Sequence, residues 1–151
     1  MSNIKLKKIF KTVCIASDHA GFNLKEDIKN HLIDKNVSIF DLGPYNHGQS
    51  VDYPDFAKKI GNRIKLKKSD VGILVCGSGT GMAISANKIK SIRAAVCYNL
   101  KSTRLSRQHN NANIIAIGAR FTKKKLSLKL VETFLKTKFE GGRHLRRVRK
   151  I

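Results

Sequence analysis

Residues 71–81 read VGILVCGSGTG: six apolar residues in succession, then glycines at three alternate positions. A short run with no polar position is what a strand covered on both faces requires, and parallel strands are the ones so covered. The glycine loop leads into MAISANKIK (82–90), which reads as a helix. Strand, tight loop and helix form the repeating unit of an α/β sheet, and that unit recurs in both directions.

Towards the N-terminus, TVCIAS (12–17) is a compact β-branched run. Phe22, Leu24, Ile28, Leu32 and Ile33 follow at spacings near 3.6, predicting a helix over 22–35. VSIFDLG (37–43) reads as a strand and PYNHGQSVDYP (44–54) as a turn-rich loop. DFAKKIGNRIKLKK (55–68) reads as a helix with Phe56, Ile60 and Ile64 on one face. Towards the C-terminus, IRAAVCY (92–98) and ANIIAIGA (112–119) are strands, with helices around LKSTRLSRQ (100–108) and KKLSLKLVETFLKT (124–137). Five strands alternating with five helical segments predict an α/β fold: a three-layer α/β/α sandwich on a five-stranded parallel sheet, Rossmann-like, with right-handed crossovers. A length of 151 residues suits one domain. The tail EGGRHLRRVRK (140–150) reads, on charge alone, as a frayed basic terminus. Should it turn helical after its glycines, Arg143 and Arg147 would share one face.

Composition narrows the function classes. The apolar stretches fall far short of the ~20 residues of a membrane span. The basic N-terminal extension, residues 1–10, has no apolar region behind it of the kind a secretory signal needs. Three cysteines without a CxxC spacing argue against a disulfide framework and against structural zinc. The expectation is a cytoplasmic protein without membrane or metal. The net charge of +21 is uneven: 13 basic and 8 acidic residues lie in 1–70, against 18 and 2 in 71–151. A pI near 10.3 points to nucleic acid. The excess of lysine over arginine, 22 to 9, points away from it, because arginine supplies the bidentate contacts of base and phosphate recognition.

In this architecture ligands sit beyond the carboxyl ends of the strands. The segments there are Ser17 to Gly21, Cys76 to Gly81, and Tyr98 through the following helix to Asn110. Glycines in CGSGTG let a loop of amides approach an anion, and a helix dipole behind them adds positive charge. Cys76 faces that loop, where a thiolate would be stabilised. Cys14 and Cys97, inside apolar runs, read instead as small hydrophobes. Of the histidines, His31 and His47 read as solvated or partly buried. His19 beside Asp18 at a strand end suits acid–base chemistry or anion binding. His109 lies with Asn110 in a polar run between helix and strand, and His144 lies in the basic tail.

These segments together resemble one family. SDHAGFNLK (17–25), DYPDFA (52–57), CGSGTGMAISANK (76–88), IRAAVC (92–97), LSRQHNNAN (105–113), GAR (118–120) and FEGGRHLRRV (139–148) stand in the order found in type B ribose-5-phosphate isomerases. That group also contains galactose-6-phosphate isomerase subunits and allose-6-phosphate isomerase. Ser78 stands where many members have threonine. The resemblance implies a homodimeric, in some cases tetrameric, aldose–ketose isomerase of the pentose phosphate pathway, with no cofactor, no metal and sites shared between subunits. It implies Cys76 as the base, Ser78 as a proton relay and the amides of Gly77, Gly79, Thr80 and Gly81 as holders of the enediolate charge. His109 is implied as the ring-opening acid/base with Asn110 orienting sugar oxygens. Asp18, His19, Arg120, Arg143 and Arg147 are implied as substrate contacts, the last two in the C-terminal segment 140–151. A galactose or allose 6-phosphate is the alternative substrate. A basic nucleotide- or nucleic-acid-binding α/β module is the alternative of another class.

Overall fold

The structure, a computed structural model, describes residues 6, 7 and 9–151. Five strands, β1 (Val13–Ser17), β2 (Ile39–Asp41), β3 (Val71–Cys76), β4 (Ala94–Val96) and β5 (Ile114–Gly118), form one sheet in the order β2-β1-β3-β5-β4. Every pairing is parallel. The helices between them are α1 (Phe22–Asp34), α2 (Tyr53–Lys65), α3 (Thr80–Ala86) and α4 (Leu100–Asn110), and α5 (Lys124–Lys136) follows β5. A sixth, α6 (Gly142–Val148), follows. The three-layer α/β sandwich expected from the alternation is therefore present.

The central strands β1, β3 and β5 are buried at every position, as their unbroken apolar runs require. The edge strands differ from expectation. β2 and β4 span three residues each instead of 37–43 and 92–98, and neither is fully buried. Each is an edge strand with a hydrogen-bonding partner on one side only, paired with the first three residues of that neighbour. On one face Ile28 and Leu32 of α1 and Leu130 and Phe134 of α5 pack on Ile15, Ile73 and Ile117. On the other, Phe56 and Ile60 of α2 and Met82 of α3 pack on Cys14, Leu74 and Ala116.

Helix ends also differ. α2 begins at Tyr53 with Pro54 in its first turn, two residues before the predicted start. α3 has seven residues and ends at Ala86, so its dipole is small and the loop amides matter more. α4 continues past the predicted 108 to Asn110 and is closed by Asn111 in the left-handed region (φ 47°). The tail is not frayed. Gly141 and Gly142 turn the chain with φ of 65° and 51°, and α6 begins there.

Lys25 is fully buried, the one charged side chain among the largest such residues described. Its Nζ donates to both carboxylate oxygens of Asp41 at 2.9 Å and to the carbonyl of Pro44 at 2.8 Å. Partial burial alone would raise the Asp41 pKa, but hydrogen bonds from Lys29, Lys25 and the Gly43 N–H outweigh it and hold it below its usual value. This clamp fixes the start of the 44–54 loop, which delivers Tyr53. At the far end of the sheet Arg107 plays a similar part. Its guanidinium donates to the carbonyls of Ala112 (2.6 Å) and Thr137 (3.1 Å), fastening the end of α4 to α5. Burial, with Arg93 nearby, pushes its pKa down to about 10.

Part of the basic extension, residues 1–5 and 8, lies outside the described residues. Leu6 packs into the core, and the Ile9 N–H donates to the Leu135 carbonyl at 3.1 Å. No helix among the described residues is long and apolar enough to cross a membrane.

Candidate active site

Beyond the carboxyl ends of β1, β3 and β5 lies a cleft of about 300 Å³ lined by Asp18, Tyr53, Cys76, Gly77, Ser78, Gly81, Arg120 and Phe121. Cys76 ends β3 and is 4% exposed. The Gly79 N–H donates to its Sγ at 3.1 Å, a bond that is stronger to a thiolate than to a thiol. Only glycine suits position 79: its φ is +80°, and an added Cβ would lie 3.1 Å from the Gly118 amide nitrogen. The loop is held to β5 by N–H bonds from Ala119 to the Cys76 carbonyl (2.8 Å) and from Arg120 to the Gly77 carbonyl (3.0 Å). Those bonds also lay the Arg120 guanidinium along Gly77. The Thr80 N–H donates to Ser78 Oγ at 3.2 Å, which orients the hydroxyl.

Asp18 is buried after β1 and accepts the Gly21 N–H at 2.9 Å. Gly21 is obligatory for contact, since a Cβ there would sit 2.3 Å from the Val75 carbonyl oxygen. His19 lies outside the cleft lining. Its Nδ1 accepts the Val51 N–H at 3.2 Å, so the 44–54 loop fixes the ring. The other thiols are of a different kind. Burial pushes Cys14 up to about 11 and raises Cys97 as well, keeping both protonated inside the core.

The remaining predicted residues gather elsewhere. α4 runs antiparallel to the strands, from beyond the carboxyl end of β4 back to the start of β5. Its eleven residues therefore carry His109 and Asn110 about 16 Å, to the amino edge of the sheet. Residues 98–110 do not, as a group, lie with Cys76, as their place after a strand had suggested. At the amino edge the His109 ring stacks on that of His144, with centroids 4.1 Å apart. The Glu140 N–H donates to the Gln108 carbonyl at 3.1 Å, tying the C-terminal segment to α4. Arg143 and Arg147 stand one turn apart on α6, both exposed. Desolvation against its neighbours, then the charges of His109 and Arg143, lowers the His144 pKa below the ordinary histidine value; Glu140 opposes them. Asn110 borders a separate hollow with Asn87, Arg93 and Ile151.

Four residues were not found from sequence: Tyr53 and Phe121 in the cleft, and Glu140 and His144 beside His109. The DYP at 52–54, a cap and a proline opening a helix beside a loop, carried a signal for Tyr53. The pairing of positions 109 and 144 is created by folding and has no local period.

Comparison with known proteins places these groups in context. The Ribose/Galactose Isomerase family matches residues 13–151. A protein named probable ribose-5-phosphate isomerase B from Mycoplasma genitalium is 44% identical over 140 residues, 92% of each chain. Among solved structures, a ribose 5-phosphate isomerase from Thermotoga maritima superposes with a TM-score of 0.90 at 50% identity, covering 92% of this chain and 95% of that one. Ribose-5-phosphate isomerase B from Mycoplasma genitalium, solved with bound ribulose-5-phosphate, gives 0.88 at 44% identity and 92% of each chain. With a family match over nearly its whole length, this chain belongs to the ribose/galactose isomerase family.

Proposed function

We propose that the protein interconverts ribose 5-phosphate and ribulose 5-phosphate, with Cys76 as the base. The observation that carries this is the thiol itself, held by the Gly79 amide in a polar cleft beside Asp18, Ser78 and Arg120. The solved relative with bound ribulose-5-phosphate supplies the substrate class. In the reaction the hydrogen at C2 of the open aldose moves to C1, and the hydroxyl proton at O2 moves to O1. Cys76 Sγ removes the C2 proton and returns it to C1 through a cis-enediolate. Ser78 Oγ carries the proton between the two oxygens. Loop amides and Arg120 stabilise the negative charge that develops there. Asp18 and His19 position sugar hydroxyls. His109 opens the furanose ring, and Asn110 holds the released oxygens.

Such a site needs both edges of the sheet at once. Cys76 closes the carboxyl end of β3, whereas His109, Arg143 and Arg147 sit by its amino end, roughly 15–20 Å away at 3.3 Å per strand residue. One chain cannot bring them together. A homodimer can, if the amino edge of each chain meets the cleft of the other about a two-fold axis. The protein then acts in the cytoplasm as a dimer with two composite sites.

Charge-assisted contacts to a phosphate contribute roughly 1.5–3 kcal/mol each. Arg143→Ala or Arg147→Ala therefore raises KM about 10- to 100-fold, whereas Arg149→Ala and Lys150→Ala change it little. Equal small effects from all four that vanish in salt would reduce the tail to a diffuse attractor. The assay that decides the function compares ribose 5-phosphate with allose 6-phosphate and galactose 6-phosphate. Turnover of the pentose phosphate at a kcat/KM well above both hexoses is expected. A hexose preference, or no isomerisation of any of the three, sinks the reading.

A further inference from the structure

At the amino edge, two imidazoles and a carboxylate converge without bonding to one another. His109 Nε2 and His144 Nε2 both point at the same oxygen, Glu140 Oε2, from 3.9 and 3.8 Å. Neither distance is a hydrogen bond. The rings are stacked nearly parallel, 11° apart, so one of them must tilt for both in-plane lone pairs to meet on one ion. All three donor atoms lie within 4.8 Å of one another. Glu140 and His144 are four residues apart at the turn into α6, and His109 comes from the last turn of α4. The Glu140–Gln108 backbone bond holds the two segments in place.

Two imidazole nitrogens and one carboxylate oxygen are a recurring three-ligand set for zinc, with a fourth position left open. At zinc–ligand distances of about 2.0–2.1 Å, tetrahedral donors stand about 3.3 Å apart. The present separations reach that value by side-chain rotation of an exposed glutamate and two histidines. Imidazole ligands favour zinc and its neighbours over magnesium and calcium, which prefer oxygen. The charges of Arg143 and Arg147 act on His144, so an anion suits the fourth position.

We propose that His109, Glu140 and His144 form a site for a divalent transition metal such as Zn²⁺, and that the bound ion inhibits the enzyme by occupying His109. The inhibition rests on the ring-opening role of His109 given above; the site itself does not. A metal on Nε2 removes the proton acceptor that opening the cyclic aldose needs. The open-chain ketose does not need it, so inhibition is stronger in the aldose-to-ketose direction. No covalent or redox step is involved, and a chelator reverses the effect.

Zn²⁺ is titrated into the full-length protein against a chromophoric chelator, which reads binding without reference to activity. One ion per chain is expected in the wild type and in Cys76→Ser, which keeps the cleft thiol from accounting for it. His144→Asn and Glu140→Gln each weaken binding by at least about tenfold, the lower end of what loss of a supporting group does at a metal site. In assays, Zn²⁺ slows the aldose direction more than the ketose direction, and EDTA restores both; Mg²⁺ does neither. Binding that disappears in Cys76→Ser, or that survives unchanged in His144→Asn and Glu140→Gln, overturns the site. Zn²⁺ held by these three residues with undiminished aldose turnover keeps the site and removes His109 from ring opening.

Discussion

Replacing Cys76 by alanine lowers turnover by about two to four orders of magnitude in a chain that still folds, because proton abstraction loses its one positioned base. The side chain ends a strand at the lip of the cleft, so the substitution removes a sulfur and the hydrogen bond it accepts from the Gly79 N–H, leaving the sheet intact. Cys14→Ala and Cys97→Ala behave in the opposite way. Their sulfurs are buried in the core, and their loss costs stability, roughly 1–2 kcal/mol each, with little effect on kcat. Steady-state kinetics with thermal unfolding on the three variants checks this. Near-native turnover in Cys76→Ala would return that cysteine to the class of packing residues.

A second experiment turns two dead proteins into a live one. Cys76→Ala and His109→Asn chains are each nearly inactive on the cyclic aldose, yet unfolded together and refolded they regain about a quarter of wild-type activity. Random pairing makes half of the dimers mixed. In a mixed dimer one site joins the intact Cys76 of one chain to the intact His109 of the other, and its second site carries both lesions. If each site belonged to a single chain, no mixed dimer would contain an intact one, and the mixture would stay as inactive as its components. The sheet geometry makes the first outcome the expected one, since a single chain holds these residues at the carboxyl and amino edges of the sheet.

The centre of this fold was legible because β3 and β5 are apolar runs: β3 matches its predicted 71–76, and β5 (114–118) lies within the predicted 112–119. The margins were harder. Edge strands β2 and β4 carry the same kind of residue as their flanks, and what ends them is the lack of a second neighbour. α6 has no buried residue, so no apolar period marks it. Nothing in the sequence reading singled out Lys25. It lies in register with Ile28 and Leu32 on the inward face of α1, and that period, with Asp41 at a strand end, was the available signal. In the site, Cys76 and Asp18 were found by position, since strand ends are where this architecture binds. His109 was noted in a polar run, but its ring-opening role came from the family pattern, and its spatial partner in sequence terms is 35 positions away.

The antiparallel course of α4 makes that helix a ruler. Its two ends are pinned, by the Asn99 cap at one and the Arg107 staple at the other, and its last turn must present His109 in a fixed direction. Each residue of an α-helix advances the chain about 1.5 Å and turns it about 100°. A single inserted or deleted residue would therefore swing His109 to another face of the molecule while leaving Cys76 untouched. The surface loops can absorb changes of length over evolutionary time, but α4 can change only by whole turns, so insertions and deletions in this lineage should be sparse between Asn99 and Asn111.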